Sequence, residues 1–361
     1  MNLVIGAFPY FVLPLILSFI FIPMAKKIGL NLGIYAEENQ RTVHHGKIVR
    51  IGGLAVFLAF MISMAIFVKA DDTLNGILLG GIVIFIGGLL DDIFDLKPII
   101  KLAFQIVAAL IAMIVGQVYL SSISLPFGIQ INNIFISGFV TFVWIVGITN
   151  AINLIDGLDG LSGGISFIVT CTIGLLGFFM GRRDICIMSL ILAGSILGFL
   201  KYNFHPASIF MGDCGALFLG YMIATISLLG FKTTAFITLG FPILMLFIPI
   251  SDTLIAIIRR KLKGQKISEA DRSHLHHILM YKLDLGHRNA VLILYLMTML
   301  FGVSSVVSYF DKVAGLIMVL ILLLISEIFI EKTGMINPKF HPLLGLYRRI
   351  RGKSKDETNE H

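Results

Sequence analysis

Residues 74–95 read LNGILLGGIVIFIGGLLDDIFD. An uncharged stretch, 74–90, runs directly into three aspartates, Asp91, Asp92 and Asp95. A helix needs about 20 apolar residues to cross a bilayer, so this stretch predicts a membrane span whose end places acids at the membrane surface. Three adjacent carboxylates there repel one another and need a cation, protons or basic partners. If the helix continues, Asp91 and Asp95 share a face, with Asp92 beside them.

The rest of the chain repeats the apolar part of that pattern. Of 361 residues, 57% are hydrophobic and 14% charged, where a soluble domain carries about 25% charge. The mean hydropathy is +0.95. This excludes a disordered chain and a soluble globule. The three cysteines show no pair spacing, which excludes a disulfide scaffold. The expected fold is an all-α polytopic membrane protein with spans near 4–24, 51–68, 74–90, 99–116, 132–149, 161–180, 185–200, 215–230, 235–258, 289–309 and 313–331. That makes eleven, or ten if one run has been divided or joined wrongly. The first run lacks a preceding basic region and a cleavage site, so it reads as a retained span. Residues 117–131 alternate in character and contain Pro126 and Gly128, which suits a short external hairpin or an ordered loop.

Basic residues set the orientation. With alternate loops inside, 23 of the 28 Lys and Arg fall on one face and 5 on the other. The basic face is cytoplasmic, so the N-terminus lies outside and the C-terminus inside. All nine histidines fall on that face, as do Asp91, Asp92, Asp95, Asp156, Asp159 and Asp213, while the other face has Asp71, Asp72, Asp184 and Asp311. The net charge of +7 then reflects loop bias, and nucleic acid is not an expected partner. Residues 1–331 read as one integral membrane domain, and 332–361 as a basic cytoplasmic tail. In that tail Arg348, Arg349 and Arg351 meet anionic head groups, and 352–361 form a disordered polar end.

Four further motifs lie on the cytoplasmic side. Asn150, Asn153, Asp156 and Asp159 recur every third residue, so their oxygens line one side of a helical turn. Oxygen donors without a nearby Lys or Arg suit a hard divalent cation, or the sugar of a nucleotide. Asp213, within Phe210-Met211-Gly212-Asp213-Cys214-Gly215, sits near the start of the next span, where a carboxylate is also a common helix cap. The largest inside loop carries Arg272, His274, His276 and His277 among further basic residues. Basic groups with histidines suit phosphate oxygens, and zinc stays open for His274 and His277. The first inside loop holds Arg41, His44, His45, Lys47 and Arg50. Asp252 is expected to pair with an arginine nearby. Acids with a cation site on one side and basic groups on the other is the layout of phosphoryl transfer, and the membrane setting implies a lipid substrate.

Together, from His44 to about Arg288, these five motifs resemble the polyprenyl-phosphate N-acetylhexosamine-1-phosphate transferases. Two details resemble the WecA/TagO branch and not the MraY branch. The acidic motif has a third Asp at position 95, and the histidine motif reads His274-Leu275-His276-His277 in place of three consecutive histidines. Ala216 departs from the Ser usual in the family. The resemblance implies transfer of GlcNAc-1-phosphate from UDP-GlcNAc to undecaprenyl phosphate with release of UMP. It also implies a multi-pass location in the bacterial cytoplasmic membrane and Mg²⁺, with Mn²⁺ as a substitute. A homodimer stays open. It implies Asp213 and Asn153 as Mg²⁺ ligands, with Asp91 and Asp92 beside them at the lipid phosphate. Phe210 would stack on uracil. Asp156, Asp159 and Asn150 would fix the nucleoside and its surroundings, with Asp159 counted among the catalytic acids. His44, Arg50, Arg272, His274, His276 and His277 would cover sugar and pyrophosphate, and Lys101 would meet the carrier phosphate. The alternatives are the same chemistry on UDP-N-acetylgalactosamine or UDP-MurNAc-pentapeptide, or a transporter or flippase. A transporter wants acids near the midplane and often two related halves. Here the acids gather at one surface and no repeat is visible.

Overall fold

In lipid, backbone amides find no water, so spanning segments satisfy them internally as helices. The computed structural model describes residues 2–36, 47–69, 71–120, 123–124, 130–231, 240–265, 274–336 and 342–345, and it is built almost wholly of helices. The order is α1 (Asn2–Leu32), α2 (Gly53–Phe67), α3 (Asp72–Phe94), α4 (Pro98–Ile114), α5 (Ile134–Leu154), α6 (Leu161–Phe179) and α7 (Arg183–Asn203). Then come α8 (Gly212–Phe231), α9 (Gly240–Met245), α10 (Phe247–Leu262), the short α11 (Leu275–His277), α12 (Gly286–Phe310) and α13 (Lys312–Thr333). Helix therefore falls in each of the eleven predicted stretches. Among the described residues, eight helices are long and apolar enough to cross a membrane. α2 and α4 are shorter apolar helices. The ninth stretch is divided at Leu246 into α9 and α10. The expected hairpin is present as β3 (Ile123–Ser124) antiparallel to β4 (Gln130–Ile131), and a second pair joins β1 (Tyr35–Ala36) to β2 (Ile48–Val49). His44 and Arg272 lie outside the described residues, as do Arg41, His45 and the tail beyond 345.

α8 is the central helix. It packs on α3 and α5, while α7 packs on α1 and α6. Hydrophobic burial does not drive helices together inside lipid, so small residues that permit close approach matter most. On α3, a Cβ added at Gly88 would lie 2.5 Å from the Cys214 Cα. That contact is what lets the acidic end of α3 reach the amino end of α8. Polar ties complete the bundle: Tyr221 donates to the Ile77 carbonyl at 3.1 Å and Trp144 to Ser227 at 3.2 Å. α13 presents Leu316, Ile317, Leu320, Ile321, Leu324 and Ile325 outward, an apolar surface suited to lipid.

Candidate active site

The helix carrying the acidic motif stops at Phe94. Asp95 takes a left-handed conformation (φ 51°) as its cap, so Asp95 leaves the face of Asp91 and is exposed. Asp91 and Asp92 are buried and turn to different partners. Asp91 accepts the Leu96 amide at 2.8 Å and forms an ion pair with Lys101 from α4. Lys101 also pairs with Asp213 at 2.8 Å. Asn153 donates to the other Asp213 oxygen at 2.6 Å. Four predicted residues on four helices therefore converge. Lys101, expected at the carrier phosphate, is held here between two acids.

Asp92 does different work. Its two oxygens accept the amides of Asp213 and Cys214, each at 2.9 Å. It thus satisfies orphan donors at the start of α8 and places negative charge at the positive end of that helix. Arg50 approaches the same carboxylate at 4.0 Å.

α5 ends at Leu154, so the three-residue period does not stay on one helix. Asn150 still belongs to α5 and exchanges hydrogen bonds with Gln105 of α4. It lies outside the cavity that its three partners line, so the nucleotide role expected of Asn150 gains no support from the geometry. Asn153 ends the helix, and Asp156 and Asp159 sit in the following turn. Asp156 accepts the Ser162 hydroxyl. Burial, reinforced by the charges of Asp213 and Asp92, pushes its carboxyl up to about 7. Asp159 accepts the Ala207 amide at 3.1 Å and meets His205 at 2.8 Å.

Between these groups lies a cavity of about 320 Å³. Arg50, Asn153, Asp156, Phe210, Asp213 and His277 are among its lining residues. Phe210 is placed by main-chain bonds: its amide donates to the Val49 carbonyl at 2.8 Å, and its carbonyl accepts the Gly52 amide at 2.9 Å. A larger cavity of about 830 Å³ lies between α1, α6 and α7. Among the described residues no carboxylate lines it.

Histidine placement corrects one expectation. Asp252 pairs with His274 at 2.9 Å and accepts the Leu275 amide at 2.8 Å, all within the buried interior. It is thus the anchor of the histidine motif. His276 is buried and His277 reaches the cavity. Burial and the neighbouring His277 push His276 down to about 3, which keeps its imidazole neutral around pH 7. The motif is also clasped from behind. Lys282 donates to the Thr333 carbonyl and Arg259 to the Met335 carbonyl. Glu331 accepts the amides of Leu343 and Leu344. The first part of the expected tail is therefore tied to Lys282, to α10 and to the end of α13.

The family comparisons converge with this geometry. The glycosyl transferase family 4 profile matches residues 74–231, which include the acidic motif, the α5–α6 turn and Asp213. A probable undecaprenyl-phosphate N-acetylglucosaminyl 1-phosphate transferase of Bacillus subtilis is 39% identical over 94% of this chain and 96% of its own length. The chain is a member of glycosyl transferase family 4, of the WecA/TagO type. Two other relatives of this WecA/TagO-type chain are more distant. A decaprenyl-phosphate N-acetylglucosaminephosphotransferase of Mycobacterium tuberculosis is 32% identical over 78% of the chain and 77% of its own length. An undecaprenyl-phosphate alpha-N-acetylglucosaminyl 1-phosphate transferase of Escherichia coli is 28% identical over 84% and 85%.

Two expected results follow from the WecA/TagO-type site as built. First, Gly157 lies in the α5–α6 turn against His276: an added Cβ would sit 2.6 Å from Nε2. Gly157→Ala should displace the imidazole and lower kcat by about 10²-fold, with the thermal transition nearly unchanged. A wild-type rate in detergent-purified protein would disprove this. Second, His276 does not take a proton between about pH 5 and 8. His276→Gln should lower the plateau of the kcat–pH profile without moving its inflections. In the unfolded chain this histidine protonates near 6.5, and in the fold near 3. Wild-type stability is therefore lost through this group as pH falls from about 6.5 towards 3, and the Gln variant should lose less.

Proposed function

We propose that this chain transfers GlcNAc-1-phosphate from UDP-GlcNAc to undecaprenyl phosphate and releases UMP. The single observation carrying the reading is the convergence of Asp91, Lys101, Asn153 and Asp213 beside a polar cavity at the ends of apolar helices. The names of the relatives supply the substrate pair. The setting is the bacterial cytoplasmic membrane, with eleven spans, the N-terminus outside and the site facing the cytoplasm, as the basic residues favour. Residues 1–331 act as one membrane domain.

Mg²⁺ suits this donor set: two carboxylates already gather round an ammonium, and hard oxygens suit a hard cation. Asp213 and Asn153 would hold the ion, with Asp91 adjoining. When bound, it supplies positive charge to the diphosphate. Phe210 offers its ring to the uracil, and Asp156 and Asp159 face the nucleoside. Arg50, His276 and His277, with His44 and Arg272, would surround the sugar and diphosphate. Lys101 holds Asp91 and Asp213 in register and stands where the carrier phosphate enters. An oxygen of that phosphate forms a bond to the β-phosphorus, and the bond from that phosphorus to the bridging oxygen breaks with UMP leaving. A phosphate monoester is largely ionised at neutral pH, its second pKa being about 6. No strong general base is then required, and charge stabilisation carries the step.

Purified protein given undecaprenyl phosphate and a panel of labelled UDP-sugars tests this. GlcNAc label should enter the butanol-extractable lipid with one UMP formed per transfer. Labelling from UDP-N-acetylgalactosamine or UDP-MurNAc-pentapeptide in its place would overturn the substrate, and lipid transport without UMP would overturn the chemistry.

A further inference from the structure

Three segments far apart in sequence meet beside the cavity with two imidazoles and a carboxylate. Asp159 comes from the α5–α6 turn, His205 from the α7–α8 loop, and His287 from the first turn of α12. One donor atom from each lies within 4.8 Å of the others. The rings of His205 and His287 stack at 4.2 Å. Zinc bonds to nitrogen and carboxylate oxygen are about 2.0–2.2 Å long, so tetrahedral ligands stand about 3.4 Å apart. To close round one ion the three donors draw together and the stacked rings turn their in-plane nitrogens to a common point.

The surroundings hold the three residues in place. Asp159 also accepts the Ala207 amide at 3.1 Å, and His287 Nε2 lies 3.3 Å from the Asp159 carbonyl. Asn203 ties the turn to the loop by accepting the Gly160 amide and donating to the Ile209 carbonyl, each at 2.9 Å. Tyr295 of α12 donates to the Gly160 carbonyl. Such outer bonds orient metal ligands and tune their affinity. Two imidazoles with one carboxylate favour Zn²⁺ and Co²⁺ over Mg²⁺, which prefers oxygen donors. The carboxylates and amide at Asp213 make the opposite choice.

We propose that Asp159, His205 and His287 form a Zn²⁺-class site, separate from the hard-cation donors around Asp213. Because Asp159 and His287 also line the cavity, an ion there stiffens its wall and obstructs nucleotide entry. That consequence alone rests on the transferase reading.

Co²⁺ added to detergent-purified protein tests the site without turnover. The expected result is one Co²⁺ per chain with intense visible bands of a four- or five-coordinate ion, displaced by Zn²⁺ and retained in excess Mg²⁺. His205→Gln and His287→Gln should each weaken binding by about 10-fold or more, while His277→Gln leaves it unchanged. Bands that survive both substitutions, or vanish with His277→Gln, overturn the proposal. If either variant fails to fold, the wild-type chain decides. Zn²⁺ should shield His205 and His287 from diethyl pyrocarbonate labelling, and equal labelling with and without Zn²⁺ overturns it. Zn²⁺ should also inhibit transfer without relief by Mg²⁺. Binding without inhibition overturns the obstruction and supports the ion site.

Discussion

Asp213→Asn is expected to reduce turnover by about 10³-fold while leaving the protein folded. The substitution preserves shape and one acceptor oxygen, so Asn153 keeps a partner, and the first amides of α8 stay on Asp92. What it removes is the negative charge that Asp213 shares with Asp91 around Lys101. In the proposed mechanism that charge also holds the cation that meets the diphosphate. The measurement is kcat in purified protein across a Mg²⁺ titration, with the thermal transition recorded alongside. A rate near wild type at every Mg²⁺ concentration would remove Asp213 from the assigned role.

Asp252→Ala should cost about 10²-fold in kcat, although Asp252 does not line the 320 Å³ cavity. Its carboxylate holds His274 and the Leu275 amide, and these begin the segment that carries His276 and His277. Without it, a buried imidazole and a buried amide lose their acceptor, at about 1–3 kcal/mol each. The motif then drifts, and a misplacement of about 1 Å costs on the order of 10²-fold. Asp252→Asn keeps one acceptor and should recover part of the rate. A structural role alone would lower the thermal transition of both variants without this graded return of kcat. An unchanged kcat in the Ala variant would show that the histidine motif is held by other means.

Much of this was legible in the sequence because the bilayer imposes a simple rule. An apolar run of sufficient length becomes a helix, and the eleven stretches read from hydropathy all contain one. The acids were legible too, since charges at the ends of such runs need partners. The partners themselves were not. Nothing local in Asp92 announces that it bonds amides 121 and 122 residues later. Asp252 lay near two arginines in sequence, yet its partner is His274. Periodicity assumes that a helix continues: it placed Asp95 beside Asp91 and Asn150 beside Asp159. The left-handed cap at Asp95 and the turn after Leu154 broke that assumption. His205 and His287 carried no motif spacing and become visible only once three segments meet.

The bond from Asp92 to the head of α8 also bears on biogenesis. The ribosome delivers α3 to the membrane long before α8 exists, and until then the Asp92 carboxylate has no amides to receive it. α8 likewise enters with its first amides uncapped. Until α8 follows, the preceding helices form an unfinished bundle with an acid waiting at one rim. The site is complete only once α8 joins the helices before it. Separately expressed fragments divided between α7 and α8 should meet at this same seam.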